Sequence, residues 1–119
     1  MISQKYRFHG HNSLRYVMSN GQVAHSKFFA VRWAVNKHRR HPRVAVVVSK
    51  KIFKSAVKRN RIRRRIYEIT RHLLPGSPAI DIIISVYSAD VLAAKHDELT
   101  IQLLPLLHGT GLETQAVPK

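Results

Sequence analysis

The most chemically capable residues of this sequence stand together. Lys58-Arg59-Asn60-Arg61-Ile62-Arg63-Arg64-Arg65 places six cationic side chains in eight positions, and Lys50, Lys51 and Lys54 stand just upstream. A guanidinium carries its donors in a planar fork that grips a phosphate bidentately and stacks on a base. Asn60 adds an amide that both donates and accepts. Such groups bind polyanions. Cutting a phosphodiester by general acid–base chemistry, or holding magnesium, needs carboxylates. The first 67 residues hold 18 Lys and Arg and no Asp or Glu. The last 52 hold three basic residues and all six acids: Glu68, Asp81, Asp90, Asp97, Glu98 and Glu113. The formal charge of +15 is therefore +18 against −3. Ordinary surfaces intersperse both signs. A long one-signed stretch repels itself unless a polyanionic partner relieves it. The six acids fall in segments that read as strand ends and helix surface, so no catalytic residue is assigned.

Other chemistries find less support. Eight histidines are present, but His9-x-His11 has too few companions for a metal site. No H-E-x-x-H, P-loop or G-x-G-x-x-G motif occurs. The absence of cysteine removes thiolate metal sites and a disulfide-stapled secreted ribonuclease or toxin. No metal site is expected, and the histidines read as further contacts to a polyanion. No run approaches about 18 apolar residues, and the opening MISQKYRFHGHN is too polar for a signal peptide. A cytoplasmic protein with no membrane partner is expected.

The elements that must position the cations follow from periodicity. The length suits one domain over 1–119, with an ordered core at about 6–108 and a flexible tail over 109–119. Residues 12–19 suit a short helix with Leu14, Val17 and Met18 on one face, stopped by Asn20-Gly21. Residues 23–35 alternate as a strand, long enough to bend near His25–Lys27. Residues 36–43 form a basic loop broken by Pro42. Residues 44–49 form a buried β-branched strand. A helix from Ser55 to about Leu74 turns Ile62, Ile66, Ile69 and Leu73 inward. With Ile62 at zero, Arg59 sits at about 60°, Arg63 at about 100°, Arg64 at about 200°, Arg61 at about 260° and Arg65 at about 300°. The arginines thus fan over three sides. Residues 80–87 are another strand. Residues 90–108 are helical, capped by Asp90, with Leu92, His96, Leu99, Leu103 and Leu106 or Leu107 inward and Pro105 shortening the last turn. The order α-β-β-β-α-β-α predicts an α+β two-layer sandwich, with helices packed on a mixed four-stranded sheet. The residues before Ser55 read as strand, so the basic helix lacks the partner of a helix-turn-helix.

Two stretches taken together resemble a known family. Val46-Val47-Val48-Ser49-Lys50-Lys51, followed by Ala56-Val57-Lys58-Arg59-Asn60-Arg61-Ile62-Arg63-Arg64, is similar to the bacterial ribonuclease P protein subunit. There a V-S-K-K strand exit precedes an R-N-R helix. The likeness extends over about residues 6–108, including Arg7-Phe8 and Val17-Met18-Ser19-Asn20-Gly21. It implies a left-handed β-α-β crossover, against the usual rule. It implies an enzyme subunit that supplies no catalytic group. The partner RNA, with magnesium, hydrolyses the phosphodiester that joins the 5′ leader to precursor tRNA. Binding to that RNA would fall to Lys50, Lys51, Lys54, Lys58, Arg59, Asn60, Arg61, Arg63, Arg64 and Arg65. The single-stranded leader would lie between the first helix and the sheet. Leu14 and Met18 stand where the family commonly has Phe, so the leader contacts are assigned to Arg7, Tyr16, Phe28, Arg32 and Trp33. Core packing is the competing reading of Phe28 and Trp33. The expected partners are ribonuclease P RNA and precursor tRNA, with no obligate protein. The alternative is a ribosomal-type or other structured-RNA-binding protein without a nuclease role.

Overall fold

A computed structural model describes residues 6–7, 11–36, 40–75 and 77–111, the side chains of 11–13 excepted. The elements are α1 (His11–Asn20), β1 (Gln22–His25), β2 (Phe29–Val35), β3 (Arg43–Val48), α2 (Ala56–Thr70), β4 (Ile80–Val86) and α3 (His96–Gly109). The four strands form one sheet in the order β1-β2-β4-β3. β1 pairs antiparallel with β2, β2 antiparallel with β4, and β3 parallel with β4. This is the mixed α+β sheet that the alternation predicts. The long strand is interrupted at residues 26–28 and folds back as the β1–β2 hairpin, with Ser26 N–H donating to Phe29 O at 2.8 Å.

Strand register sorts the side chains onto two faces. Val31 lies opposite Ile84, Trp33 opposite Ile82, and Val44 and Val46 opposite Ile82 and Ile84. These residues share the main core with Ile62, Ile66 and Ile69 of α2 and Leu99, Leu103 and Leu107 of α3. Ala30, Arg32, Ala45, Val47, Ile83 and Ser85 have the opposite parity. On this second face α1 packs across β2 and β4, and its Val17 is buried, as are Ala30 and Ile83. Met18 is half exposed, because a ten-residue helix meets the sheet along a narrow stripe centred on Val17. Gly21 closes that junction. Its N–H donates to Val17 O at 2.8 Å. A Cβ there would stand 2.5 Å from Val17 O and 2.7 Å from Trp33 O, so no side chain fits between helix end and strand.

α2 crosses from β3 to the parallel β4. Ser55 caps it, its Oγ accepting from Lys58 N–H at 3.3 Å. The helix ends at Thr70, earlier than the periodicity suggests. Leu73 N–H donates to Thr70 O at 2.9 Å, and the tightened turn still buries Leu73 and Leu74.

The region expected as one helix over 90–108 divides. A 3₁₀ turn over Ala89–Leu92 is followed by a break, and α3 begins at His96. Ser88, not Asp90, caps the turn: its Oγ accepts from Asp90 N–H at 3.2 Å. His96 is exposed, because the break resets the helical phase and only Leu99, Leu103 and Leu107 of α3 turn fully inward. Pro105 sits inside α3 without ending it. Ile101 and Pro105 are exposed, so water can reach the carbonyl that loses its intrahelical donor. The predicted tail lies outside the described residues from 112 onward.

Candidate nucleic-acid interface

Burial of the Ile62, Ile66 and Ile69 stripe fixes the rotation of α2 and divides its arginines by what they touch. Arg59 reaches back to the approach loop, with Nη1 donating to Phe53 O at 2.8 Å and Lys54 O at 2.9 Å. Arg65 reaches the break before α3. Its Nη1 donates to Val91 O at 3.2 Å and Leu92 O at 3.4 Å, and its Nη2 to Ala94 O at 2.5 Å. Both guanidiniums are partly buried and hold loops against the helix. Of the ten residues expected to meet RNA, these two have structural occupations that a charge count does not show.

Of the remaining cations, Arg63 is partly buried beside Asn60 and the others face outward. Lys50, Lys51, Lys54, Lys58, Arg61 and Arg64 are exposed, as is Asn60. Asn60, Arg63, Arg64 and Tyr67 stand at i, i+3, i+4 and i+7, one stripe beside the apolar one. With Arg7 they line an open hollow of about 380 Å³. Arg7 arrives there through a parallel bridge to Val44 of β3, the edge strand, whose other side pairs with β4. Tyr67 packs against the core, and its hydroxyl accepts from Val46 N–H of the same strand at 3.4 Å. Arg63 Nη1 donates to Asn60 Oδ1 at 2.6 Å.

Among the described residues, no acid lines this hollow. Among the described residues the ion pairs are Arg71–Glu68 and Arg43–Asp81, both at 2.7 Å. The first is half exposed and worth little. The second is buried and bidentate, at 2.8 and 2.7 Å, and Asn36 Nδ2 adds a third donor to Asp81 at 2.8 Å. It joins β3 to β4 and belongs to the framework. Sequence reasoning missed it, although an acid inside the apolar run IDIIISV signals a buried partner. It also missed Tyr67, which its i+7 spacing from Asn60 could have indicated.

The residues assigned to the leader do not form one surface. Arg32 and Trp33 are adjacent in a strand and must point to opposite faces. Arg32 lies partly buried on the α1 side, where Val23 and Val47 are also exposed, and Tyr16 of α1 is 53 % exposed. Trp33 packs against the main core instead. Phe28 is 1 % exposed and meets Phe29 edge-on, with centroids 6.1 Å apart, so it offers no ring face to a base. Arg7 stands at the α2 hollow. Strand parity thus leaves Tyr16 and Arg32 as the leader candidates.

The family model for Ribonuclease P matches residues 2–110. The chain belongs to the ribonuclease P protein family. It is 36% identical over 110 residues to the ribonuclease P protein component of Carboxydothermus hydrogenoformans, covering 87% of this chain and 88% of that one. It is 34% identical over 70 residues to the component from Chlamydia trachomatis serovar L2, a match covering 59% of this chain and 58% of that relative's length. Its fold is similar to a Staphylococcus aureus RNase P protein mutant with defective mRNA degradation activity. That comparison has a TM-score of 0.80 at 25% identity and covers 91% and 90% of the two chains. Among the described residues, no helix is long and apolar enough to cross a membrane.

Proposed function

We propose that this chain is the protein subunit of ribonuclease P. It binds the catalytic RNA and assists RNA-catalysed removal of the 5′ leader from precursor tRNA. The observation that carries this reading is the acid-free stripe of Asn60, Arg63 and Arg64 with Arg7, on a chain of this family. Guanidiniums with donors uncommitted to the fold exchange condensed counterions for direct phosphate contacts, which supplies affinity and makes it salt-dependent. Lys50, Lys51 and Lys54 extend the charge along the loop that enters α2, and Lys58 and Arg61 along the helix itself. The leader lies on the opposite sheet face, where Tyr16 offers a ring for stacking and Arg32 a phosphate contact. Magnesium is assigned to the RNA. Among the described residues, no group of three His, Asp or Glu is placed to hold a metal ion.

The test is cleavage of precursor tRNA in magnesium, with and without a bacterial ribonuclease P RNA. The expected result is that the protein raises cleavage by the RNA and cuts nothing alone. Cleavage by the protein alone overturns the reading. Lack of stimulation at low salt transfers the chain to the structured-RNA-binding alternative.

A further inference from the structure

The hollow beside α2 has more than charge. Its lining holds three guanidiniums, one amide and one aromatic ring, that of Tyr67. The hollow is open and measures about 380 Å³, room for more than a single small anion. A phosphate group alone leaves most of that space unused, whereas a nucleotide with its sugar and base spans it. We infer that this hollow receives one unpaired nucleotide, with its base against Tyr67 and its phosphate among Arg7, Arg63 and Arg64. The inference rests on the RNA-binding reading above and names what the RNA must present there.

The details favour a base over a bare anion. A ring among cations is how single-stranded nucleic acid is held, since every base has a π-face. In a duplex both faces of a base are stacked, so only an unpaired base is free to meet the ring. Tyr67 is a fixed platform: its body packs on the core and its hydroxyl is engaged by Val46 N–H. Such preorganisation lowers the ordering cost of binding. Asn60 Oδ1 accepts from Arg63 Nη1, which aims that guanidinium and leaves the amide NH₂ for an acceptor on a base edge. Arg7 closes the far side from the β3 edge.

The test titrates the full chain at low salt with adenosine 5′-monophosphate and, separately, with inorganic phosphate, read by NMR. The nucleotide is expected to bind about tenfold tighter than phosphate and to move the Tyr67 ring signals upfield. Tyr67→Leu removes that preference and keeps phosphate binding. Arg64→Ala deletes an exposed side chain and weakens both ligands. Equal affinity for the two ligands, or shifts spread evenly along α2, overturns the inference. If Tyr67→Leu does not fold, the ring signals of the unmodified chain decide the question. In the complex with a bacterial ribonuclease P RNA, ultraviolet crosslinking is expected to join Tyr67 to an unpaired nucleotide. A paired nucleotide there, or no crosslink in a complex that forms, sinks the inference and leaves the subunit reading intact. Failure of the complex to form strikes the subunit reading, and the nucleotide titration still decides the hollow.

Discussion

Arg59 and Arg65 stand on the same helix as Arg63 and Arg64, yet they do opposite things. The first two donate to five backbone carbonyls of neighbouring loops. The second two face a solvent-filled hollow, and the only bond either makes within the described chain is Arg63 to Asn60. Residue type and local charge are equal in the two pairs. What separates them is whether the donors of the guanidinium are already satisfied when no partner is bound. A cationic cluster is therefore two populations, one committed to the fold and one left open to a partner. Only the second should contribute to salt-dependent binding.

Substitutions can break or sharpen this contrast. The largest effect is expected at Arg43, the extreme member of the structural population. Arg43→Ala strands Asp81 without its buried partner and should cost about 3–5 kcal/mol in urea unfolding. The RNA affinity of the folded fraction should be unchanged. Ile66→Ala should cost about 2–5 kcal/mol through a core cavity, again with binding retained. Normal thermal stability with lost RNA binding would mean that the faces of α2 are reversed. Arg65→Ala leaves the Val91, Leu92 and Ala94 carbonyls without their charged donor. It should cost about 1–3 kcal/mol and leave the salt slope of RNA binding alone. A flattened slope would move Arg65 into the binding population. The smallest change in stability, within about 0.5 kcal/mol, is expected for Arg61→Ala combined with Arg64→Ala. That double variant should flatten the dependence of log K on log salt by roughly one to two phosphate contacts. An unchanged slope would remove both residues from the interface.

Much of the framework was legible because its signals are local. The β-branched runs at 44–49 and 80–87, the Ile62–Ile66–Ile69 spacing and the helix start at Ser55 each depend on a few neighbouring residues. What was not legible depends on pairings distant in sequence. Arg65 looks like its neighbours until the carbonyls of Val91, Leu92 and Ala94 are brought beside it. Phe28 reads equally as a platform or as core until the hairpin turn buries it edge-on against Phe29. Arg7 shows no relation to α2 until it joins the edge of β3 next to Tyr67. The Ser88 cap starts a short turn, and no Gly or Pro marks the break that follows Leu92. The recognition stripe could thus be located on its helix, but the composition of its hollow could not.

The strand order carries a consequence in time. Among the described residues β4 is the last strand, and it lies between β2 and β3. Until residues 80–86 leave the ribosome, β3 has no neighbouring strand in the sheet and α2 has only part of its core to pack against. The β1–β2 hairpin that emerges earlier is too small to be stable alone. Assembly therefore waits on contacts that span about half the chain, which slows the search relative to a locally connected fold. Throughout that interval the acid-free stretch is an extended polycation, able to associate with any nearby nucleic acid. Only when β4 closes the sheet, and α3 after it covers the core, does that stretch become a shaped surface.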